Sequence, residues 1–130
     1  MPTLTILDQT TFQGDSQPFS LELPSETITI RELIRSRVQS EVQRYNEQQE
    51  SDFRGLVRPT DSEQTLHGFR LLKKRQIDWE KQFDLAITGF QSNGFLILVD
   101  DQQVDELEAT ITVAPTTEVV FFKLIPLVGG

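Results

Sequence analysis

The chain opens with a short β-prone run, Leu4-Thr5-Ile6-Leu7, and after a polar loop containing Gly14 it alternates strictly over Phe19-Ser20-Leu21-Glu22-Leu23. A period of two puts Phe19, Leu21 and Leu23 on one face of a strand, and two such runs so close together predict a hairpin. Pro24 and Ser25 then interrupt the pattern and the period changes. Leu33, Ile34, Val38, Val42 and Tyr45 recur at helical spacing, with Arg35, Gln39 and Gln43 outside the stripe. This predicts an amphipathic helix from about Ile30 to Tyr45 packed on a sheet. Thr29-Ile30-Arg31-Glu32 fits a capping box at its start, with Thr29 as the cap and Glu32 reaching back. The stripe fades in the polar run Asn46 to Ser51.

Residues 52–93 read as an inserted helical unit. Thr60-Asp61-Ser62-Glu63 is a second candidate capping box. Leu66, Phe69, Leu72, Trp79, Phe83, Ala86 and Phe90 follow at three-, four- and seven-residue steps. One long helix, or two with a break near Asp78, fits equally, and Asn93-Gly94 is a helix stop. Strand signals return at Phe95-Leu96-Ile97-Leu98-Val99, followed by an acidic turn, Asp100-Asp101, after which Gln103-Val104 can pair back. Ile111 and Val113 precede a turn at residues 114–117. The last strand, Glu118 to Ile125, contains Val119-Val120-Phe121-Phe122, apolar on both faces, and so belongs in the middle of a sheet. Pro126 ends it, because proline cannot donate to a ladder. The expectation is a single α+β domain over residues 1–130. A mixed sheet, with its last strand central and parallel to the first, carries one packed helix and the insertion, and residues 126–130 form an exposed tail.

Composition narrows the chemistry. Cysteine is absent, which excludes disulfides, a thiol nucleophile and Cys-based metal sites. The single histidine, His67, cannot form a catalytic pair or a zinc site alone. No phosphate-binding loop is present, and the acidic pairs Asp100-Asp101 and Asp105-Glu106 fall in predicted turns, where solvated carboxylates are expected rather than acid/base catalysts. We therefore expect no enzyme, no metal and no cofactor. No apolar run approaches the roughly 18 residues of a membrane span, and Met1 to Gln9 lacks the basic region and apolar run of a secretion signal, so a cytoplasmic protein without a membrane partner is expected. The net charge of −8 argues against a nucleic-acid partner. It is unevenly placed: residues 53–81 carry +3 and the rest −11, which marks the insertion as a distinct unit. Within it, Arg70, Lys73, Lys74 and Arg75 read as a solvated helix face, and Trp79, Phe83 and Phe90 as core.

The strand–strand–helix–strand–strand order, with a hydrophobic final strand and a terminal Gly129-Gly130, resembles the ubiquitin-like β-grasp superfamily. The helix entry Pro24-Ser25-Glu26-Thr27-Ile28 is similar to that of ubiquitin. The C-terminal third is similar to prokaryotic sulfur carriers, the small subunit of molybdopterin synthase and the thiamine sulfur carrier. The resemblance lies in Asp100-Asp101-Gln102-Gln103-Val104-Asp105-Glu106-Leu107, in Glu118-Val119-Val120-Phe121-Phe122 and in Pro126-Leu127-Val128-Gly129-Gly130. It covers residues 95–130 well and 1–50 weakly, and leaves the insertion uncovered. Pro115-Thr116-Thr117 lacks the usual glycine, and Lys123 interrupts the apolar approach to the tail.

The resemblance implies that the Gly130 carboxylate is adenylated by an ATP-using activating enzyme, then thiocarboxylated or joined to a target amine. Gly129 and Gly130 would be the reacting terminus, and Leu124, Pro126, Leu127 and Val128 the partner-binding positions. A conjugating enzyme, an isopeptidase or a target protein would be the further partners. The alternative is a non-covalent β-grasp interaction module whose tail is incidental.

Overall fold

The computed structural model describes residues 2–10, 14–15, 17–48, 52–65 and 68–124. Its largest sheet has six strands. The first, β1 (Thr3–Thr10), is flanked on one edge by two antiparallel partners, β2 (Gly14–Asp15) near its end and β3 (Phe19–Glu22) near its start. Leu21 and Leu23 of the alternating run are buried and Phe19 packs half-buried against the core, as the period of two requires. A three-residue strand, β4 (Thr27–Thr29), leads into α1 (Ile30–Gln48).

The Thr29 hydroxyl accepts the Glu32 N–H at 3.1 Å, so the expected cap is in place. The whole stripe Leu33, Ile34, Val38, Val42 and Tyr45 is buried, together with Ile30 and Arg37.

The insertion is only partly helical, a correction to the expectation for residues 52–93. Its C-terminal half is α2 (Trp79–Gln91), capped by the Asp78 carboxylate on the Glu80 N–H at 3.0 Å. Its N-terminal half holds an antiparallel hairpin, β5 (Ser62–Thr65) with β6 (Gly68–Leu71), so Ser62-Glu63 is strand and not a helix cap. Leu66, like His67, lies outside the described residues. Phe69 lies on β6 and Leu72 is 66% exposed, so the helical stripe is real only from Trp79 onward.

Long-range pairing explains the hairpin. Phe53 and Phe69 exchange both backbone hydrogen bonds, at 2.7 and 2.9 Å, and Gly68 is needed there because a Cβ would run into the Phe53 carbonyl. The Phe53 ring is itself buried, edge-on to Tyr45 of α1 at 5.6 Å between centroids. The Asn46 side chain both donates to the Ile77 carbonyl and accepts its N–H, at 2.9 and 2.8 Å, and so fastens the approach to α2 onto the end of α1.

Helix α2 stops in a Schellman turn. Asn93 takes φ +60°, the Gly94 N–H reaches the Gly89 carbonyl at 2.7 Å and the Asn93 N–H the Phe90 carbonyl at 3.2 Å. Next comes β7 (Phe95–Val99), which turns back through Asp100 and Asp101 into β8 (Gln102–Val104). Both aspartates have positive φ, 47° and 69°, the requirement of a two-residue hairpin that matches strand twist. The Asp100 carboxylate accepts the Glu118 N–H at 2.9 Å.

After β9 (Thr110–Thr112), which pairs with β4, the final strand β10 (Glu118–Lys123) enters between β1 and β7. It is parallel to β1 and antiparallel to β7, central as the apolar run predicts. Its Val119 and Phe121 are fully buried and Val120 nearly so.

Candidate functional site

The strand β10 delivers the chain to Leu124, whose N–H donates to the Gly94 carbonyl at 3.1 Å and whose side chain is 40% exposed. Of the residues expected to form the site, Leu124 is the one described, standing at the root of the tail beside the turn that ends α2. Pro126, Leu127, Val128, Gly129 and Gly130 lie outside the described residues, as does the last residue of the expected strand, Ile125.

What holds this root is a charged cluster that pattern reading missed. Alternation along β10 turns Val119, Phe121 and Lys123 toward α1, and alternation along β1 turns Ile6 and Asp8 the same way. Arg37, on the buried stripe of α1 and 2% exposed, meets them. Its guanidinium makes a two-pronged contact with Asp8, Nη1 to Oδ1 at 2.5 Å and Nη2 to Oδ2 at 2.7 Å, and its Nε donates to Glu41 Oε1 at 2.5 Å. The plane lies 4.4 Å from the Phe121 ring centroid and 5.3 Å from that of Phe19.

Lys123 adds its ammonium 3.6 Å from Asp8 Oδ2 and donates to the Gly55 carbonyl at 3.3 Å, while Glu41 Oε2 accepts the Leu56 N–H at 3.0 Å. Two cations and two anions thus close on one another and bind the insertion, through Gly55 and Leu56, to α1 and the central strands. Buried charges need this degree of pairing, since an unpaired ion out of water costs several kcal/mol.

The titrations follow from the geometry. Burial alone would push the Asp8 carboxyl up, but Arg37 and Lys123 overcome it and hold Asp8 below its ordinary value. Arg37 is driven further toward the charged form, because Glu41 and Asp8 outweigh the cost of its burial. Lys123 goes the other way: burial and the Arg37 charge lower it despite Asp8 and Glu41. The cluster anchors the end of β10. Among the described residues no group of three or more His, Asp or Glu side chains is placed to hold a metal.

The remaining candidates fall where turn and core chemistry put them. Asp105 and Glu106 are exposed in a turn, and Lys73 and Lys74 are exposed in the loop before α2, not on a helix face. Phe90 is buried, and Trp79 and Phe83 pack half-buried against the core.

On the sheet face away from α1, register lines Leu7, Val120 and Leu98 in one row and Phe122 and Leu96 in the next. Val120 is nearly covered by its neighbours and the other four are half-buried, so these two rows form an apolar patch that is only partly shielded.

No helix among the described residues is long and apolar enough to cross a membrane. Compared with protein-family models, with curated proteins and with solved structures, the chain matches none.

Proposed function

We propose that this chain is a ubiquitin-like β-grasp carrier or modifier, acting in the cytoplasm, whose working group is the carboxylate of Gly130. One observation carries the reading. A hairpin, a helix crossing one face and a central final strand parallel to the first lead directly into Pro126-Leu127-Val128-Gly129-Gly130.

In the proposed reaction the carboxylate oxygen attacks the α-phosphorus of ATP in a partner enzyme and pyrophosphate leaves. The resulting acyl-adenylate then yields to a sulfur donor, giving a thiocarboxylate, or by way of an enzyme thiol to a target amine, giving an isopeptide bond. AMP is released at the displacement step. Glycine suits the terminus because it lacks Cβ, so the backbone can pass close to the nucleotide at any φ. Leu124, Pro126, Leu127 and Val128 are the proposed contacts with the activating enzyme, and the acidic body aids encounter with a basic partner. A conjugating enzyme and an isopeptidase belong to the modifier branch.

The test is ATP–pyrophosphate exchange with an activating enzyme of the ubiquitin and sulfur-carrier type. The native chain is expected to support exchange. A chain lacking Gly130, or extended by one tryptophan after it, is expected to fail while its unfolding midpoint stays unchanged. Equal exchange by the untrimmed extended chain would remove the glycine terminus from the account.

The half-buried Leu7, Leu98, Leu96 and Phe122 on the sheet face away from α1 favour the second reading, a non-covalent interaction module. Absence of exchange by the native chain, with binding to the same enzyme retained, would favour it.

A further inference from the structure

The inserted unit borders the root of the tail at both of its ends. The Leu124 N–H donates to the Gly94 carbonyl at 3.1 Å, in the turn that stops α2, and the Lys123 ammonium donates to the Gly55 carbonyl at 3.3 Å. Residues 125–130 follow Leu124. Fully extended, they reach about 20 Å. A partner that takes the Gly130 carboxylate into a nucleotide site must bring its own surface within that distance of Leu124, so what surrounds the root meets that partner.

On the β7 side the root is bordered by the second half of α2. Gln82, Ala86 and Phe90 form the buried stripe of that helix. At 3.6 residues per turn the opposite face carries Thr88 and Gln91. Both are exposed, as are Ser92 and Asn93 beyond them. Leu85 flanks this face at 37% exposure. Charged residues make up 25% of the chain, yet residues 85–99 carry no charged side chain. Asp84 and Lys81 lie one and two turns back from Thr88, away from the tail, and the Lys123 ammonium is engaged by Asp8.

We infer that this uncharged outer face of α2, with the turn Ser92-Asn93-Gly94, is the surface by which an activating enzyme selects this chain, an inference that rests on the carrier or modifier reading above. The reach of the tail selects the occupant, because the protein that draws in residues 125–130 is the one that must lie over their root. The face sets the chemistry of that occupant. An apolar, hydrogen-bonding surface matches it, whereas a charged one would be desolvated without a counter-ion. The resemblance to sulfur carriers leaves the insertion uncovered, so this face also separates the chain from them.

The test is ATP–pyrophosphate exchange by an activating enzyme of that type as the concentration of the full chain is varied. Three chains are compared: the native one, Thr88→Arg with Gln91→Arg, and Gln39→Arg with Gln43→Arg. Gln39 and Gln43 are exposed on α1 beside β3, on the far side of β1 from β10. The α1 pair thus makes the same change in net charge away from the root. The α2 pair is expected to raise KM for the chain about tenfold, with the saturating rate and the unfolding midpoint unchanged, the mark of lost binding alone. The α1 pair is expected to keep KM near the native value.

Gln91→Arg by itself, at the last residue of the helix where a cation is favourable, decides the matter if the α2 pair fails to fold. Equal KM values for all three chains, an equal rise in both variants, or a fall in the saturating rate alone would overturn the inference and leave the carrier reading standing. A native dimer in solution that the α2 pair dissolves would also overturn it, since a second copy would then occupy the face. Absence of exchange by the native chain would remove both.

Discussion

Arg37 is held by two carboxylates and two aromatic rings at the interface between α1 and the sheet, with its own side chain out of water and both carboxylates largely so. Removing one member of a buried ion cluster leaves an uncompensated charge, whereas replacing the whole cluster with apolar side chains is often neutral or better. Arg37→Ala is therefore expected to lower unfolding free energy by about 3 to 5 kcal/mol in urea titrations. An apolar replacement of Asp8, Arg37, Glu41 and Lys123 together is expected to recover most of that loss.

The pH dependence has a definite sign. The Asp8 carboxyl titrates lower in the folded chain than its ordinary 3.8, so its stabilisation is complete above that value and is lost as pH falls through the folded-state value. Asp8→Asn is expected to be less stable at neutral pH and to show a flatter acid limb in unfolding midpoints measured from pH 7 down to about 2. Lys123 titrates below its ordinary 10.5, so the folded chain sheds a proton first and stability gains as pH rises between the two values.

The cluster was legible in part: Arg37 and Glu41 stand four residues apart inside the stripe that runs through Leu33, Ile34, Val38 and Val42. A charged i, i+4 pair at core positions is a signal for burial with partners. The identity of the partner on β1, Asp8, depends on register and could not be read from spacing.

At the scale of elements, those whose periodicity matches their burial were readable from sequence. Strands β3, β7 and β10 and helix α1 each bury the face that their apolar positions define. The cap on α1 gives a direct check: Thr29→Ala removes the acceptor for the Glu32 N–H and is expected to cost about 1 kcal/mol by chemical denaturation.

The β5–β6 hairpin was not readable. Ser62-Glu63-Gln64-Thr65 has no apolar alternation, and Leu66, Phe69 and Leu72 mimic a helical step by their spacing. What sets the hairpin is a backbone bridge to Phe53, distant in sequence, and that ring's burial against Tyr45. Phe53→Ala is expected to destabilise by about 3 to 5 kcal/mol. The loss should be of the whole domain in one cooperative transition, because Gly55 and Leu56 tie the insertion to the cluster under β10. A separate early transition of the insertion would show that it is an appendage.

For the whole molecule, the sheet places its two helices on one face, its apolar row on the other, and its last strand in the middle. The final strand is thus firmly anchored in the sheet, paired on both edges and pinned by Lys123 just before the chain passes into residues 125–130. Such an arrangement suits a body that presents its end to another protein.

The most direct measurement uses the same Lys123. Trypsin cuts the denatured chain after it and releases the segment from Leu124 to Gly130 as a single peptide, which mass spectrometry can follow in protein isolated from its own cells. A fraction of this peptide is expected to carry sulfur in place of a terminal carboxylate oxygen, or to be joined through Gly130 to a lysine of another protein. Recovery of the segment solely as an unmodified free acid, or within a chain that runs on past Gly130 without being cut there, would contradict it.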